Sequence, residues 1–387
     1  PSEKAIQDEA VKVIRQWAAT GVTTSTEISL GVSTSMSADW RLFRKLAEEP
    51  KKLLRFRVYL DYHQVEPVNP GDPKDQKLQV HGDPSIVFEP DKDDDWLKVL
   101  GVKFVTDGST QGFTAFLNQP YLNLDPPVTP PGSTGISNFP PKTQPTLTEV
   151  MRPFYERGWQ LATHANGDAA IDQVLDVYQE ISKGDPKRLE RRLRIEHFTV
   201  TPPEHLAKIL DRVVELGVTP GMTAGHLYFW GQVFDQKILG TERAGKIHPS
   251  KSLTKRHIRF AYNSDSPVTK VEPLRYVQTE VTREPQWTPP QNPPFVLGAD
   301  EKISVDEALR AVTLDAAYQD FFDDKVGSLE KGKLADFVVL ACNPKAVEPS
   351  TIASIQVLAT YLAGNIAYLS DRKPDSPDDC HPIAAAR

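Results

Sequence analysis

Apolar positions along the chain follow two spacings, and each spacing predicts a type of element. A period of about 3.6 residues predicts amphipathic helices, whereas alternation or a short β-branched run predicts strands. Helical spacing occupies residues 3–20, 38–48, 146–158 and 168–181, and a further helix is capped by Thr201 and Pro202 and runs to Leu216. Strand spacing occupies residues 21–27, 54–62, 101–109, 159–167, 193–200, 217–224 and 258–268. Because strands and helices alternate, the sequence predicts parallel β–α–β units.

Seven predicted strands suit either an open doubly wound sheet or a TIM-type (β/α)8 barrel that lacks one strand. Polar side chains at or just after the C-terminal ends of four different strands decide between them: Lys103, His164, His197 and Asp265. In a barrel these strand ends meet at one mouth, whereas in an open sheet they spread along an edge. No glycine-rich phosphate loop supports the open sheet. We therefore predict an α/β barrel over residues 1–320, which includes a helix at 305–317 that begins at a Ser304–Glu307 capping box.

The 33 prolines are concentrated in residues 66–90, 120–145 and 284–294. Proline interrupts helices and central strands, so these stretches predict long ordered loops. Long loops inside a compact domain are usually functional. Since they follow strand ends, we expect them to wall the mouth of the barrel.

Composition narrows the class of partner. The net charge of −7 and the absence of a cluster of basic residues argue against a nucleic-acid surface. The longest apolar runs are too short to span a membrane. We therefore expect a soluble, cytoplasmic protein that acts on a small molecule, with a homodimer as one option for its assembly.

Two histidines follow consecutive predicted strands. Either His164 or His197 alone would most often be a core histidine bonded to the backbone. Because neighbouring barrel strands bring the two together, their neutral imidazoles suit a divalent transition metal such as Zn²⁺. Four other histidines lie in a helix or in polar segments, where we expect surface positions: His205, His248, His257 and His381.

Asp265 and Lys103 each have two interpretations. The segment around Asp265, YNSDSPV, is typical of a turn or helix cap, and such a turn also aims a carboxylate at a metal and its water. Lys103 alternates onto the same face as Asp107, so an ion pair between them is one interpretation. The other is a buried neutral amine that adds CO₂ and becomes a metal-binding carbamate.

Several motifs together resemble the amidohydrolase superfamily, specifically its YtcJ-like amidohydrolase family 3. They are GVTTSTE, VKFVTDGS, HANGDAAID, RIEHF, NSDSPV and VGSLEKGKLADFVVLACNP. The resemblance implies that His164 and His197 are metal ligands, that Asp265 is both ligand and general base, and that Lys103 is carboxylated. It also implies that residues 321–370 form part of a small β-sandwich, which leaves 371–387 as a C-terminal tail.

The sequence departs from the family pattern in one respect. The superfamily's first strand carries a His-x-His pair, and none of the nine histidines here are spaced that way. We therefore expect that the first strand precedes Pro1 or is absent from the protein. The resemblance implies one or two metal ions, and a truncated site would hold one or none.

The resemblance and the strand-end residues predict a metal-dependent hydrolase. We expect a metal-activated hydroxide to cleave a C–N bond of an amide, formamide or cyclic amide while Asp265 transfers the proton. Tyr228, Phe229 and Trp230 would form an apolar pocket, or simply pack the loop, and His226 would hydrogen-bond the carbonyl. The alternative is a non-catalytic binding or regulatory barrel. A phosphate-binding barrel is disfavoured because no glycine-rich turn follows the last two strands.

Overall fold

The computed structural model describes residues 2–371 apart from 33, 91–93, 125, 288–289 and 292. The strands are β1 (Thr24–Leu30), β2 (Arg55–Asp61), β3 (Val65–Pro67), β4 (Leu78–Val80), β5 (Asp83–Phe88), β6 (Leu97–Val105), β7 (Gln160–Ala165), β8 (Arg194–His197), β9 (Thr219–Thr223), β10 (Ala261–Asn263), β11 (Phe337–Leu340), β12 (Val357–Leu362) and β13 (Asn365–Leu369). The α-helices are α1 (Glu3–Ala19), α2 (Met36–Glu48), α3 (Leu147–Glu156), α4 (Asp168–Ile181), α5 (Pro203–Leu216), α6 (Gly225–Val233), α7 (Thr241–Ala244), α8 (Ser250–Lys255), α9 (Pro273–Thr282), α10 (Val305–Ala311) and α11 (Leu314–Gln319).

Seven strands form one parallel sheet in the order β1-β2-β6-β7-β8-β9-β10. Every residue of β2 and β9 is buried, as expected for parallel strands covered on both faces. All seven predicted barrel strands are present, so the α/β, TIM-type fold class is confirmed. The helices between the strands pack on the sheet through apolar faces, such as that of α4, which buries Ile171, Val174 and Leu175.

The sheet is curled, and one buried carboxylate demonstrates the curvature. Asp320 accepts hydrogen bonds from Thr26 of β1 at 2.7 Å and from Arg194 of β8 at 3.1 Å. Those strands are four positions apart in the sheet, which would separate them by roughly 19 Å if it were flat. Contact with one side chain therefore requires the sheet to bend around a common interior. The bend directs the C-terminal strand ends toward a common mouth.

The segment between β2 and β6 differs from the sequence prediction. We expected a proline-rich loop, but β3, β4 and β5 form an antiparallel sheet there. Pro67 and Pro84 lie in the outer strands β3 and β5, where a missing N–H is tolerated, so prolines do not prevent pairing.

The C-terminal part forms a second antiparallel sheet, β11-β12-β13. Thr360 in β12 donates a hydrogen bond to the carbonyl of Ala18 at 2.6 Å, which attaches this sheet to α1. The predicted tail lies outside the described residues beyond Asp371. Within the described ranges, no helix has the length and apolar character needed to cross a membrane.

Two helix boundaries also differ from prediction. The capping box of Ser304 and Glu307 is confirmed, but the helix that it opens ends at Ala311, and α11 follows separately. The N-cap of α5 is Pro202 and its first residue is Pro203, one position later than predicted. Neither shift moves a candidate site residue.

Candidate functional site

His164 and His197 lie side by side at the mouth. The register of β7 and β8 pairs Ala165 with His197, so the two imidazoles leave neighbouring strand ends, and their ring centroids are 4.3 Å apart. His197 has φ +73° and Phe198 has φ +45°, so the last residue of β8 and the residue after it are both left-handed although neither is glycine. Such strain persists only where the surrounding structure imposes it, and it is concentrated at functional sites.

The hydrogen bonds of His197 determine its tautomer. Thr223 Oγ1 donates to Asn263 Oδ1 at 2.9 Å and lies 3.0 Å from His197 Nδ1. Because the hydroxyl proton is already used, the threonine accepts from Nδ1–H. Burial, reinforced by nearby His164 and Lys103, lowers the pKa of His197 well below its ordinary value. The ring is therefore neutral, and its Nε2 lone pair is available to a metal.

Asp107 organises the backbone beside His164. Its carboxylate accepts the backbone N–H groups of Asn166, Gly167 and Phe116 at 2.8–3.0 Å, and Oδ1 lies 3.0 Å from His164 Nδ1. Among the described residues, Lys103 forms no ion pair with a carboxylate, so the predicted pairing with Asp107 is wrong. Asp107 lies beyond the last residue of β6, where strand alternation no longer sets its direction.

Lys103 lies in β6 and is buried, with 3% of its surface exposed. Burial lowers the pKa of its amine, an effect that the carboxylates of Glu196, Asp265 and Glu27 oppose. A neutral fraction of a lysine amine is the form that adds CO₂. The carbamate itself stays a prediction.

Asp265 follows β10 and is partly buried, with φ +51°. Burial raises the pKa of its carboxyl group, and nearby Lys103 and His164 oppose that shift. The turn that the local sequence predicted is present: Val268 N–H bonds to Asp265 O at 2.7 Å. Asp265 thus lies at the same mouth as the two histidines and within electrostatic range of His164.

The donor chemistry of this cluster suits a divalent metal, since it offers two imidazoles, a carboxylate and an amine. The two imidazoles are adjacent, and the tautomer of His197 leaves its Nε2 free. Across the described ranges, however, no three His, Cys, Asp or Glu side chains converge closely enough to hold an ion. Asp265 in this conformation is therefore not a third ligand beside His164 and His197. The residues fit a two-histidine site that Lys103, or a movement of Asp265, would complete.

The predicted pocket residues lie on or beside the same mouth. His226 is buried at the start of α6, 5.8 Å from His197 between ring centroids, and Trp230 packs against it one helical turn later. Tyr228 is half-buried beneath the guanidinium of Arg275, and Phe229 is 38% exposed. His226 and Trp230 therefore adjoin the histidine pair, and their role in binding stays a prediction.

One sequence expectation about the remaining histidines is wrong. His248 is fully buried rather than on the surface, and its Nδ1 lies 3.0 Å from Glu280 Oε1. His205 is partly exposed and His257 is exposed, whereas His381 lies outside the described residues. The polar segment KIHPSKS around His248 contained no signal of burial.

Sequence reasoning also missed residues that orient the site. Asn166, Thr199 and Thr223 form hydrogen bonds around the histidines, and Glu280 holds His248. Three of these could have been identified from the sequence, because each lies at or just after the end of a strand. Asn166 lies one residue after β7, Thr199 two residues after β8, and Thr223 at the end of β9. Small polar residues at parallel strand ends are a usable signal.

The chain matches a known protein family and several of its relatives. The model described as the amidohydrolase family matches residues 2–368. Protein LONG AFTER FAR-RED 3 of Arabidopsis thaliana is 34% identical over 71% of this chain and 44% of its own length. N-substituted formamide deformylase of Arthrobacter pascens is 30% identical over 54% and 37%, and putative amidohydrolase YtcJ of Bacillus subtilis (strain 168) is 29% identical over 69% and 46%. The matches thus span less than half the length of each of these relatives.

A solved structure supports the fold. An uncharacterized metal-dependent hydrolase from Pyrococcus furiosus superposes with a TM-score of 0.62 at 20% identity, over 86% of this chain and 59% of that one. The resemblance inferred from the sequence motifs is confirmed, because the family match extends across the barrel strands and the C-terminal sheet. The chain therefore belongs to the amidohydrolase family.

Proposed function

We propose that this chain carries the metal site of a hydrolase that cleaves a C–N bond in an amide, formamide or cyclic amide. The observation that carries the proposal is the adjacent pair His164 and His197, beside buried Lys103 and Asp265 at the mouth of the barrel. The formamide deformylase among the relatives supports this bond class.

His164 and His197 would hold a divalent ion such as Zn²⁺, with Lys103 and Asp265 as further donors. When bound, such an ion acidifies water and polarises a carbonyl oxygen. Thr223 keeps His197 in the tautomer that exposes Nε2. Asp265 would accept the proton of the attacking water and return it to the departing nitrogen, because its carboxylate lies within electrostatic range of Lys103 and His164.

The walls of the mouth suit a substrate with an apolar substituent. Trp230 and Tyr228 present half-buried aromatic faces, and exposed Phe229 lies beside them on the same helix. An aromatic or aliphatic group on the amide nitrogen would bury apolar surface there. The three aromatic residues therefore act as a binding wall in this proposal and take no part in proton transfer.

Metal content and turnover test the proposal together. The purified chain would be loaded with Zn²⁺, desalted and measured by elemental analysis, and then assayed for release of formate from N-(2-phenylethyl)formamide. We expect about one bound ion and measurable formate, both reduced in His164→Phe and His197→Phe. His257→Phe, which alters an exposed histidine before β10, is the matched control. Bound zinc without turnover of amides or formamides would contradict the proposed bond class.

A non-catalytic barrel is the second candidate, and one observation favours it. No three His, Cys, Asp or Glu side chains of the described residues converge on an ion. A binding or regulatory role would use the same mouth without chemistry. Absence of bound zinc after loading would favour this candidate over the hydrolase.

A further inference from the structure

Three histidines form a row that extends from the proposed metal site into the protein. The ring of His226 lies 5.8 Å from that of His197 and 6.1 Å from that of His248, and successive rings are inclined by only 28° and 29°. His226 is 1% exposed and His248 is fully buried. His164 and His197 are the proposed metal-binding pair, and the ion does not require the two further buried imidazoles. The hydrogen bonds of His226 and His248 therefore need a separate explanation.

A chain of hydrogen bonds determines the tautomer of His226. Asn166 Nδ2 donates to the carbonyl of Gly108 at 3.0 Å, so its Oδ1 is an acceptor, and Thr199 Oγ1 donates to that oxygen at 2.6 Å. Thr199 Oγ1 also lies 2.9 Å from His226 Nδ1. Having donated its proton, the hydroxyl accepts from Nδ1–H. With that proton on Nδ1, Nε2 is the acceptor nitrogen of the neutral ring.

His248 is held in the corresponding orientation by a carboxylate. Its Nδ1 lies 3.0 Å from Glu280 Oε1, so Nδ1 carries the donated proton. Glu280 Oε2 is bound in turn by Ser250 at 3.1 Å and by Arg283 at 3.3 Å. Arg283 also donates to the backbone carbonyl of His248 at 2.9 Å, which supports a residue with φ +48°. The ring is therefore fixed from both its side chain and its backbone.

The other nitrogen of His248 has no such partner. Nε2 is buried, and no described protein group lies within hydrogen-bonding distance of it. Burying a polar atom without a hydrogen-bond partner lowers the stability of the fold by about 1–3 kcal/mol. Since Nδ1 of the same ring is fully bonded, we expect Nε2 also to have a partner, one that is not a described protein group. Both rings thus present Nε2 on the side away from their fixed Nδ1–H.

We propose that Nε2 of His226 and Nε2 of His248 form an acceptor site for the N–H group of the substrate. Neutral acceptor nitrogens bind hydrogen-bond donors and repel carbonyl oxygens. The substrate class is accordingly a secondary amide or formamide, whose nitrogen carries a proton. Tertiary amides and esters are disfavoured. This inference rests on the proposed C–N hydrolase and refines it, because His226 then recognises the amide N–H and not the carbonyl.

Nuclear magnetic resonance tests the acceptor site without turnover or metal. The full chain would be labelled with ¹⁵N-histidine, and His226 and His248 assigned by the signals lost in His226→Phe and His248→Phe. We expect protonated Nδ1 and unprotonated Nε2 in both rings. N-(2-phenylethyl)formamide, which has one N–H, should shift the Nε2 signal of at least one of the two rings, whereas its N-methyl derivative, which has none, should shift neither. A proton on either Nε2, or equal shifts with both compounds, would overturn the proposal.

Kinetics provide a second test with a matched control. The ratio of kcat/KM for N-(2-phenylethyl)formamide over its N-methyl derivative should fall about tenfold in His226→Phe, the loss expected from one neutral hydrogen bond. The same ratio should be unchanged in His257→Phe. An unchanged ratio in His226→Phe would refute N–H recognition. If the wild type hydrolyses neither compound, the proposed function fails for formamides, and the resonance measurement still decides the acceptor site.

Discussion

His197 donates its Nδ1 proton to Thr223 across 3.0 Å, because the threonine hydroxyl is itself committed to Asn263. Thr223→Val keeps the shape of the side chain but removes the hydroxyl, so the proton of His197 is no longer held on Nδ1. We expect the affinity for Zn²⁺ to fall about tenfold or more, the usual effect of losing such an orienting partner. Competition with a chromophoric chelator measures this change.

Thr223→Ser is the control for that substitution. Serine restores the hydroxyl at the same position, so affinity should return to within about twofold of the wild type. Equal affinity in the valine and serine variants would show that Thr223 does not orient a metal ligand.

Asp265→Asn tests the proposed proton transfer. The amide cannot accept the proton of the attacking water, so kcat/KM should fall by about 10²-fold or more, the usual contribution of a general base. Zinc should remain bound through the adjacent His164 and His197, because Asp265 does not converge with them in this structure and would be at most a further donor. Elemental analysis and formate release would be measured on the same sample. Retained turnover would assign the base to another residue.

Lys103 is expected to carry a carbamate when metal is bound. Burial lowers the pKa of its amine and so favours the neutral form that adds CO₂. A carbamate resonance should appear in ¹³C spectra of the zinc-loaded chain supplied with ¹³C-bicarbonate, and should be absent in Lys103→Met. Zinc bound without that resonance would leave a site of histidines and Asp265.

In the absence of metal, Lys103→Met is expected to increase the stability of the chain. Lys103 is buried without an ion pair to a described carboxylate, and methionine fills a similar volume without charge. We expect the free energy of unfolding of metal-free Lys103→Met to rise by about 1–2 kcal/mol. Urea denaturation of both metal-free proteins measures the difference. A destabilised variant would show that the lysine is better compensated than its burial indicates.

The barrel could be predicted because each of its strands and helices is marked by a pattern within a short, continuous stretch of sequence. Strand alternation identified all seven parallel strands, and α4 has the predicted bounds 168–181. Placement of His164 and His197 followed from consecutive strands, since neighbours in a parallel sheet meet at the same end. What depends on one segment and its immediate neighbour was therefore accessible from the sequence.

The remaining features depend on residues far apart in the chain. His248 is buried by Glu280, 32 residues later, and by Arg283, 35 residues later, and the segment around it is polar. Strand β4 has only three residues, too few for alternation to identify it among prolines. Asp107 turned toward backbone N–H groups because alternation ends with β6 at Val105.

Gly221 is predicted to be intolerant of any side chain. A Cβ atom there would lie 2.3 Å from Glu196 Oε2, and Arg194 holds that carboxylate through a 2.7 Å bond to its other oxygen. The glutamate cannot move without breaking its bonds to buried Arg194, which would then keep only its contacts with Asp320 and Tyr59. We expect Gly221→Ala to lower the free energy of unfolding by about 2–3 kcal/mol. In the control Gly71→Ala, the nearest atom would be Asn69 Oδ1 at 3.8 Å, so a similar loss there would contradict the steric argument.

Buried His197 and His226 should make the metal-free chain sensitive to acid. Both have folded-state pKa values well below the ordinary 6.5, so below that pH the unfolded chain binds protons that the folded chain does not. Stability from these residues is complete above about pH 6.5 and is lost as the pH falls, by up to about 1.4 kcal/mol per pH unit for each residue. Raised pKa values at Glu27 and Asp265 act in the opposite direction.

Comparing one variant with the wild type separates these contributions. His226→Phe removes one titrating histidine and leaves the carboxylates in place. Between about pH 7 and about pH 5, we expect the free energy of unfolding of His226→Phe to decrease less than that of the wild type. The difference in slope should be at most about 1.4 kcal/mol per pH unit, the contribution of one histidine. Urea denaturation at several pH values within that range gives the two slopes. Parallel slopes would mean that His226 becomes protonated in the folded chain as readily as in the unfolded chain, and that it is not the neutral acceptor on which the N–H site depends.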